Sequence, residues 1–307
     1  MRINFFGRKK QFLIITLSAL VIAGRSLAGD VSDDKTIAVP PIVPAPEESW
    51  IHGDIGVEFS NQYIDRGFIY ESKGLITQPY LDLKVPLYQG DGFINSFALT
   101  MGLFETFSSR KTQAGLTNGG HQEDLRAWFE SDFLPGISIT FLKRFTLGEQ
   151  FVILTSPNGA FNTLYRSFFT LSFDDSDFLG PFALHPYFEW DRNLATDGNF
   201  AFKGDYYTFG IAPRKTFGPL TLKLLGAAGF YSGDFVAPKM NGLSFLSAGV
   251  GADYALPFIP KKMGKWWLVG DIDYYYLGAG SYLVNVPQIR AARRNELVYQ
   301  GGFRLDF

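Results

Sequence analysis

The feature that most constrains this chain is an alternation of apolar and polar residues with a period of two, recurring from about residue 51 to the last residue, Phe307. Successive side chains of a strand point to opposite faces, so such a pattern builds a sheet with one apolar and one polar surface. Ile51, Ile55, Val57, Phe59 and Tyr63 alternate with His52, Asp54, Glu58, Gln62 and Arg66. Leu81, Leu83, Val85 and Leu87 alternate with Tyr80, Asp82 and Lys84. The final segment sets Leu297, Tyr299, Phe303, Leu305 and Phe307 on one face, and Glu296, Gln300, Arg304 and Asp306 on the other. No segment after the N-terminal region offers the ~18 uninterrupted apolar residues of a membrane-spanning helix.

Composition favours the same reading. Aromatic residues make up 17% and glycines number 33, while mean hydropathy is only +0.03. That balance suits strands in which every second residue faces an apolar medium. Counting alternating segments gives about twelve, with 122–133, 136–147, 162–175, 181–192, 203–217, 219–232, 242–256 and 265–278 lying between the first three and the last. The connections alternate in length. Short ones fall at Gln89-Gly90-Asp91, Leu134-Pro135, 174–180, Gly218-Pro219 and 257–264; longer ones fall near 108–121, 148–161, 193–202, 233–241 and 279–294. Transmembrane barrels have short periplasmic turns and longer outside loops. The pattern therefore predicts an all-β, antiparallel, up-and-down transmembrane barrel over residues 50–307 with both termini periplasmic. The connection at 148–161 carries Phe151-Val152-Ile153-Leu154, which is expected to pack on the barrel rim, with inward folding as the alternative. Trp50, Trp190, Trp266, Trp267, Tyr274, Tyr276 and Phe307 are expected near strand ends, where amphipathic rings favour the headgroup level.

The N-terminus has the layout of an export signal. A basic Arg8-Lys9-Lys10 precedes an apolar run from Phe12 to Ala23, and Ser26-Leu27-Ala28 supply small residues at the peptidase-read positions. Cleavage is expected after Ala28, and residues 29–49, rich in proline, are expected to form a flexible periplasmic tail. Removing Arg2, Arg8, Lys9, Lys10 and Arg25 takes the formal charge from −2 to −7, which argues against nucleic-acid binding.

With the apolar faces turned to lipid, the polar faces line a lumen. Its expected members are Asp54, Glu58, Arg66, Asp82, Lys84, Arg126, Glu130, Arg166, Glu189, Asp191, Asp271, Asp273, Glu296 and Arg304, together with Arg144, Lys223 and Asp253. Salt-bridge networks that hold the barrel in shape account for most of them; opposed charges across a narrow channel are the sharper alternative. Cysteine is absent and the three histidines (His52, His121, His185) are scattered, so no metal site, cofactor or catalytic residue is expected. His185, placed in a strand with Glu189 and Asp191 on its own face, is the one arrangement that a hydrolase reading can use.

Two resemblances add to this. The strand ending in Tyr299, Phe303, Leu305 and Phe307 resembles the C-terminal signature of outer-membrane β-barrels that their assembly machinery recognises. Tyr63-Ile64-Asp65-Arg66-Gly67, followed by Gln78-Pro79-Tyr80-Leu81-Asp82-Leu83, resembles the first hairpin of a family of uncharacterised porin-like outer-membrane proteins. The expected function is passive diffusion of small hydrophilic solutes through a narrow charged lumen in the outer membrane of a Gram-negative-type cell. A non-conducting structural or adhesion barrel is the alternative, and a barrel hydrolase is the third reading.

Overall fold

The computed structural model describes residues 50–71, 74–109, 127–196, 203–235, 241–279 and 294–307. The expected leader and tail, the loop around His121, and Arg126 lie outside the described residues.

Alternation produces a sheet long enough to close on itself. Its strands are β1 (His52–Ser60), β4 (Ile76–Gln89), β5 (Ile94–Ser108), β6 (Ala127–Phe141), β7 (Phe145–Thr155), β8 (Leu164–Phe173), β9 (Tyr187–Thr196), β10 (Gly204–Ile211), β11 (Arg214–Phe217), β12 (Leu220–Gly233), β13 (Gly242–Ala255), β14 (Lys265–Leu277) and β15 (Asn295–Asp306). Each pairs antiparallel with its neighbours; β1 pairs with both β4 and β15, and β10 pairs with both β9 and β12. β10 and β11 form one stave, interrupted at Ala212-Pro213 where the proline has no N–H to give the ladder. The result is a closed antiparallel barrel of twelve staves with no free edge. The remaining two strands, β2 (Tyr63–Asp65) and β3 (Phe68–Glu71), pair only with each other. The two chain ends of the barrel meet: the backbone N–H and C=O of Gly53 and Phe307 bond reciprocally, at 3.0 and 2.9 Å.

The two faces differ as the alternation requires. Leu99, Leu222, Leu224, Val250, Leu268, Ile272, Tyr299 and Phe303 project outward and are exposed. At the end carrying the termini, Phe93, Phe141, Phe145, Phe173 and Phe178 form a continuous row of ring contacts 4.8–6.0 Å apart. Toward the other end, Phe107 stacks on Trp128 and Phe151 on Tyr165. An apolar band between two aromatic girdles is thus present on the β5–β8 wall. Trp267 departs from the expected interfacial placement: it lies on the inner face, donating to Asp306 at 2.7 Å beneath the Arg304 guanidinium. Its neighbour Trp266, on the opposite face of the strand, donates to the Met263 carbonyl.

One hairpin is assigned differently from the sequence expectation. Leu134-Pro135 is no turn; β6 runs through it, with Pro135 opposite Met101 of β5. On the β7 side the ladder skips from Phe133–Ile153 to Gly136–Gln150, leaving unpaired the place where proline has no donor. The actual turn is at residues 142–144, where Leu142 and Lys143 take positive φ (51° and 62°) without a glycine. Residues 145–155 are therefore strand β7, not a rim loop. Val152 and Leu154 face inward and are buried, while Phe151 faces out. Arg144, expected in the lumen, sits in this turn and pairs with Asp177 of the short helix α1 (Ser176–Leu179) at 2.9 Å.

Candidate pore constriction

After Ser60 the chain leaves the wall. Asn61 and Gln62 side chains donate to the Leu297 carbonyl at 3.2 and 2.9 Å, and the Ser60 hydroxyl donates to the Gln62 carbonyl. These bonds turn the following residues into the barrel, where β2 and β3 form a hairpin. Its two turn residues, Arg66 and Gly67, both have positive φ (50° and 75°), as a two-residue type I′ turn requires. Glycine takes that conformation freely, whereas arginine does so at a cost that its surroundings must offset.

They do so from three sides. The Arg66 carbonyl accepts hydrogen bonds from the Tyr231 and Ser244 hydroxyls, both on the far wall. Its guanidinium pairs with Asp65 and, at 2.8 Å, with Asp191, which is only 1% exposed. Arg166 reaches the same Asp191 oxygen at 3.5 Å and lies 5.2 Å over the Phe235 ring. On the other side of the hairpin, Tyr63 donates to Glu130 at 2.6 Å and stacks on Tyr70, which packs against Phe129. Phe68, Ile69 and Tyr70 are buried. Burying side chains of this size contributes roughly 1.5–3 kcal/mol each, so the hairpin is a packed element of the interior.

Three β-bulges accommodate it. The β5–β6 register skips Phe129, which turns inward onto Tyr70; the β12–β13 register skips Ser244, which reaches Arg66; the β8–β9 register skips Leu194, beside Arg166. A bulge re-aims a side chain that strict alternation would point elsewhere.

A second network lies on the β12–β15 wall. Lys223 pairs with Asp253 at 2.9 Å and Asp271 at 3.2 Å, while Arg304 pairs with Asp306 at 2.9 Å and Asp253 at 3.7 Å. Glu58 accepts from Gln300. Asp271 and Asp273 lie flat over Gly251 and Gly249 of β13, where a Cβ would fall within 1.9 and 1.8 Å of their carboxylate oxygens.

Of the residues singled out from sequence, Arg66, Glu130, Arg166, Glu189 and Asp191 gather around the hairpin, and Glu58, Asp271 and Arg304 join the second network. Arg66 does so from the hairpin tip, not from the first wall strand. Asp273 and Glu189 both line a cavity at the hairpin tip. Asp54 faces Asp82 across the β1–β4 pair and Asp306 across β1–β15, a row of like charges. Lys84 stands opposite His52, and Glu296 opposite Tyr275. Asp65 and Asp132, both among the buried or half-buried acids here, were not singled out; Asp132 is the next inward position after Glu130 on β6.

His185 is not in a strand. It occupies the β8–β9 turn with φ 46°, its Nδ1 lying 3.7 Å from Asp174 and 3.9 Å from Asp175, away from Glu189 and Asp191. Among the described residues Asp174, Asp175 and His185 are the one group with metal-ligand spacing. Both Asp175 oxygens already accept backbone N–H groups of Leu184 and His185, and hydrogen bonds from Ser176 hold the Asp174 carboxyl below its ordinary range. The cluster ties the turn together.

No protein-family model matches the chain, and no curated protein matches it either. Among solved structures, it is similar to the KdgM porin in complex with disordered oligogalacturonate, with 10% identity, TM-score 0.43 and coverage of 83% of this chain and 99% of that one. It is similar to the NanC porin, with 11% identity, TM-score 0.43 and coverage of 82% and 98%. It is also similar to outer membrane phospholipase A from Escherichia coli, with 11% identity, TM-score 0.38 and coverage of 88% and 94%.

Proposed function

We propose that this chain is an outer-membrane, porin-like channel, through which small hydrophilic solutes diffuse along a lumen narrowed by the β2–β3 hairpin. The observation that carries this reading is the segregation of the two faces. An apolar exterior with aromatic girdles suits a lipid surround, while the interior gathers charged side chains around an infolded hairpin. Twelve strands lie between the ~8 whose interior side chains fill and the ~16–18 that leave an open pore. A single infolded element is then enough to set the passage. Among the described residues acids outnumber bases on the inner face, so the passage prefers cations. Tyr299, Phe303, Leu305 and Phe307 lie on the outward face of the closing strand, where the assembly machinery can read them as the strand is inserted.

The test is reconstitution of the folded protein in a planar bilayer under a KCl gradient. Discrete conductance steps with a reversal potential on the potassium side are expected. A silent bilayer, with protein shown to be folded by its heat-dependent gel mobility, contradicts the channel reading.

A further inference from the structure

A cavity of about 400 Å³ lies inside the barrel against the hairpin tip. Three carboxylates reach it, Asp65 from the hairpin, Glu189 from β9 and Asp273 from β14, beside the rings of Tyr187, Tyr206 and Tyr275. Arg66 also lines it, but its guanidinium is already held by Asp65 and Asp191. Glu189 and Asp273 form no ion pair among the described residues. Asp273 lies flat against Gly249, an approach that a Cβ at that position would block.

The chemistry of these walls selects a class of ligand. A space of this size falls within the range that holds a small organic molecule. A bare metal ion fits poorly: among the described residues the three carboxylates here do not form a group with metal-ligand spacing. Anions meet two carboxylates that no ion pair among the described residues neutralises. An organic ammonium ion instead finds negative charge for its head and aromatic faces that attract a weakly hydrated cation. We propose that this cavity is a binding station for small organic cations that carry an ammonium group on a short apolar body. Its place on a transport path rests on the channel reading; its ability to bind does not.

The experiment is isothermal titration calorimetry of the folded full-length protein in detergent, with choline as probe and with butyrate and glycerol as controls. Saturable choline binding is expected, weakened at least tenfold in Glu189→Gln/Asp273→Asn and by a smaller factor in each single variant, with no heat from the controls. Should the double variant fail to fold, Ser247→Arg, which brings a competing guanidinium to the same wall, is expected to abolish binding. Absence of choline binding by the native protein, or equal affinity in the carboxylate variants, overturns the proposal. Choline binding with a silent bilayer removes the channel and leaves the site; conductance without choline binding removes the site and leaves the channel.

Discussion

The two charge networks inside the barrel use the same residue types but sit in different surroundings. Around the hairpin tip, Asp191 receives two arginines while 1% exposed, with the Phe168 and Tyr206 rings 5.9 and 6.0 Å from the Arg66 guanidinium and Phe235 5.2 Å from that of Arg166. On the β12–β15 wall, Lys223, Asp253, Asp271 and Arg304 keep side-chain exposures of 24%, 11%, 17% and 25%, against 1% for Asp191 and 5% for Arg166. A buried pair that loses one member strands a charge without solvent, at a cost of about 3–5 kcal/mol. A pair with access to water loses little, because solvent takes the partner's place. The first network therefore holds the hairpin in position, and on the proposed channel reading the second shapes the field that a passing ion meets.

Asp191→Ala gives the sharpest separation of the two. It strands Arg166 and leaves Arg66 with Asp65 alone, and a loss of roughly 3–5 kcal/mol is expected in urea unfolding from lipid vesicles. The hairpin should also become open to protease between residues 61 and 75. A loss below about 1 kcal/mol would show that the buried network behaves like the open one. Removing the hydroxyls that hold the Arg66 carbonyl, with Tyr231→Phe and Ser244→Ala, should cost about 0.5–1.5 kcal/mol each in the same assay. Asp271→Asn belongs to the open network. It is expected to change stability by less than about 1 kcal/mol while lowering the potassium-over-chloride preference of the reversal potential. Unchanged selectivity would take Asp271 out of the conducting path. The smallest effect is expected from Arg144→Ala in the turn, whose exposed pair with Asp177 contributes no more than about 0.5 kcal/mol, read as an unchanged unfolding midpoint.

Much of the barrel was legible because its physics is periodic. Alternation identified the strand type and the count of about twelve. What broke the period was not legible. Pro135-Gly136 has the composition of a turn yet lies mid-strand, and Leu142-Lys143 makes a turn with none of the usual residues. Phe129, Ser244 and Leu194 sit at bulges, which a strict two-residue repeat places on the wrong face or not at all. The hairpin was hidden for the opposite reason. Tyr63 and Arg66 continue the alternation of β1, because β2 is itself a strand, so the break at Asn61 left no trace in the pattern. Gly67 after Arg66 was the available signal for a tight turn there. Without that turn Asp65 had no reason to stand out, and Arg66 read as one more wall residue.

On the proposed channel reading, the hairpin is the element that narrows the conducting lumen. Replacing residues 63–71 by a short Gly-Ser linker, and comparing single-channel conductance with that of the native protein, tests this most directly. A severalfold larger conductance and a larger solute size limit are expected, with the protein still folded by gel mobility. Equal conductance in the two proteins would contradict the account, because current that ignores the hairpin does not pass through the space the hairpin fills.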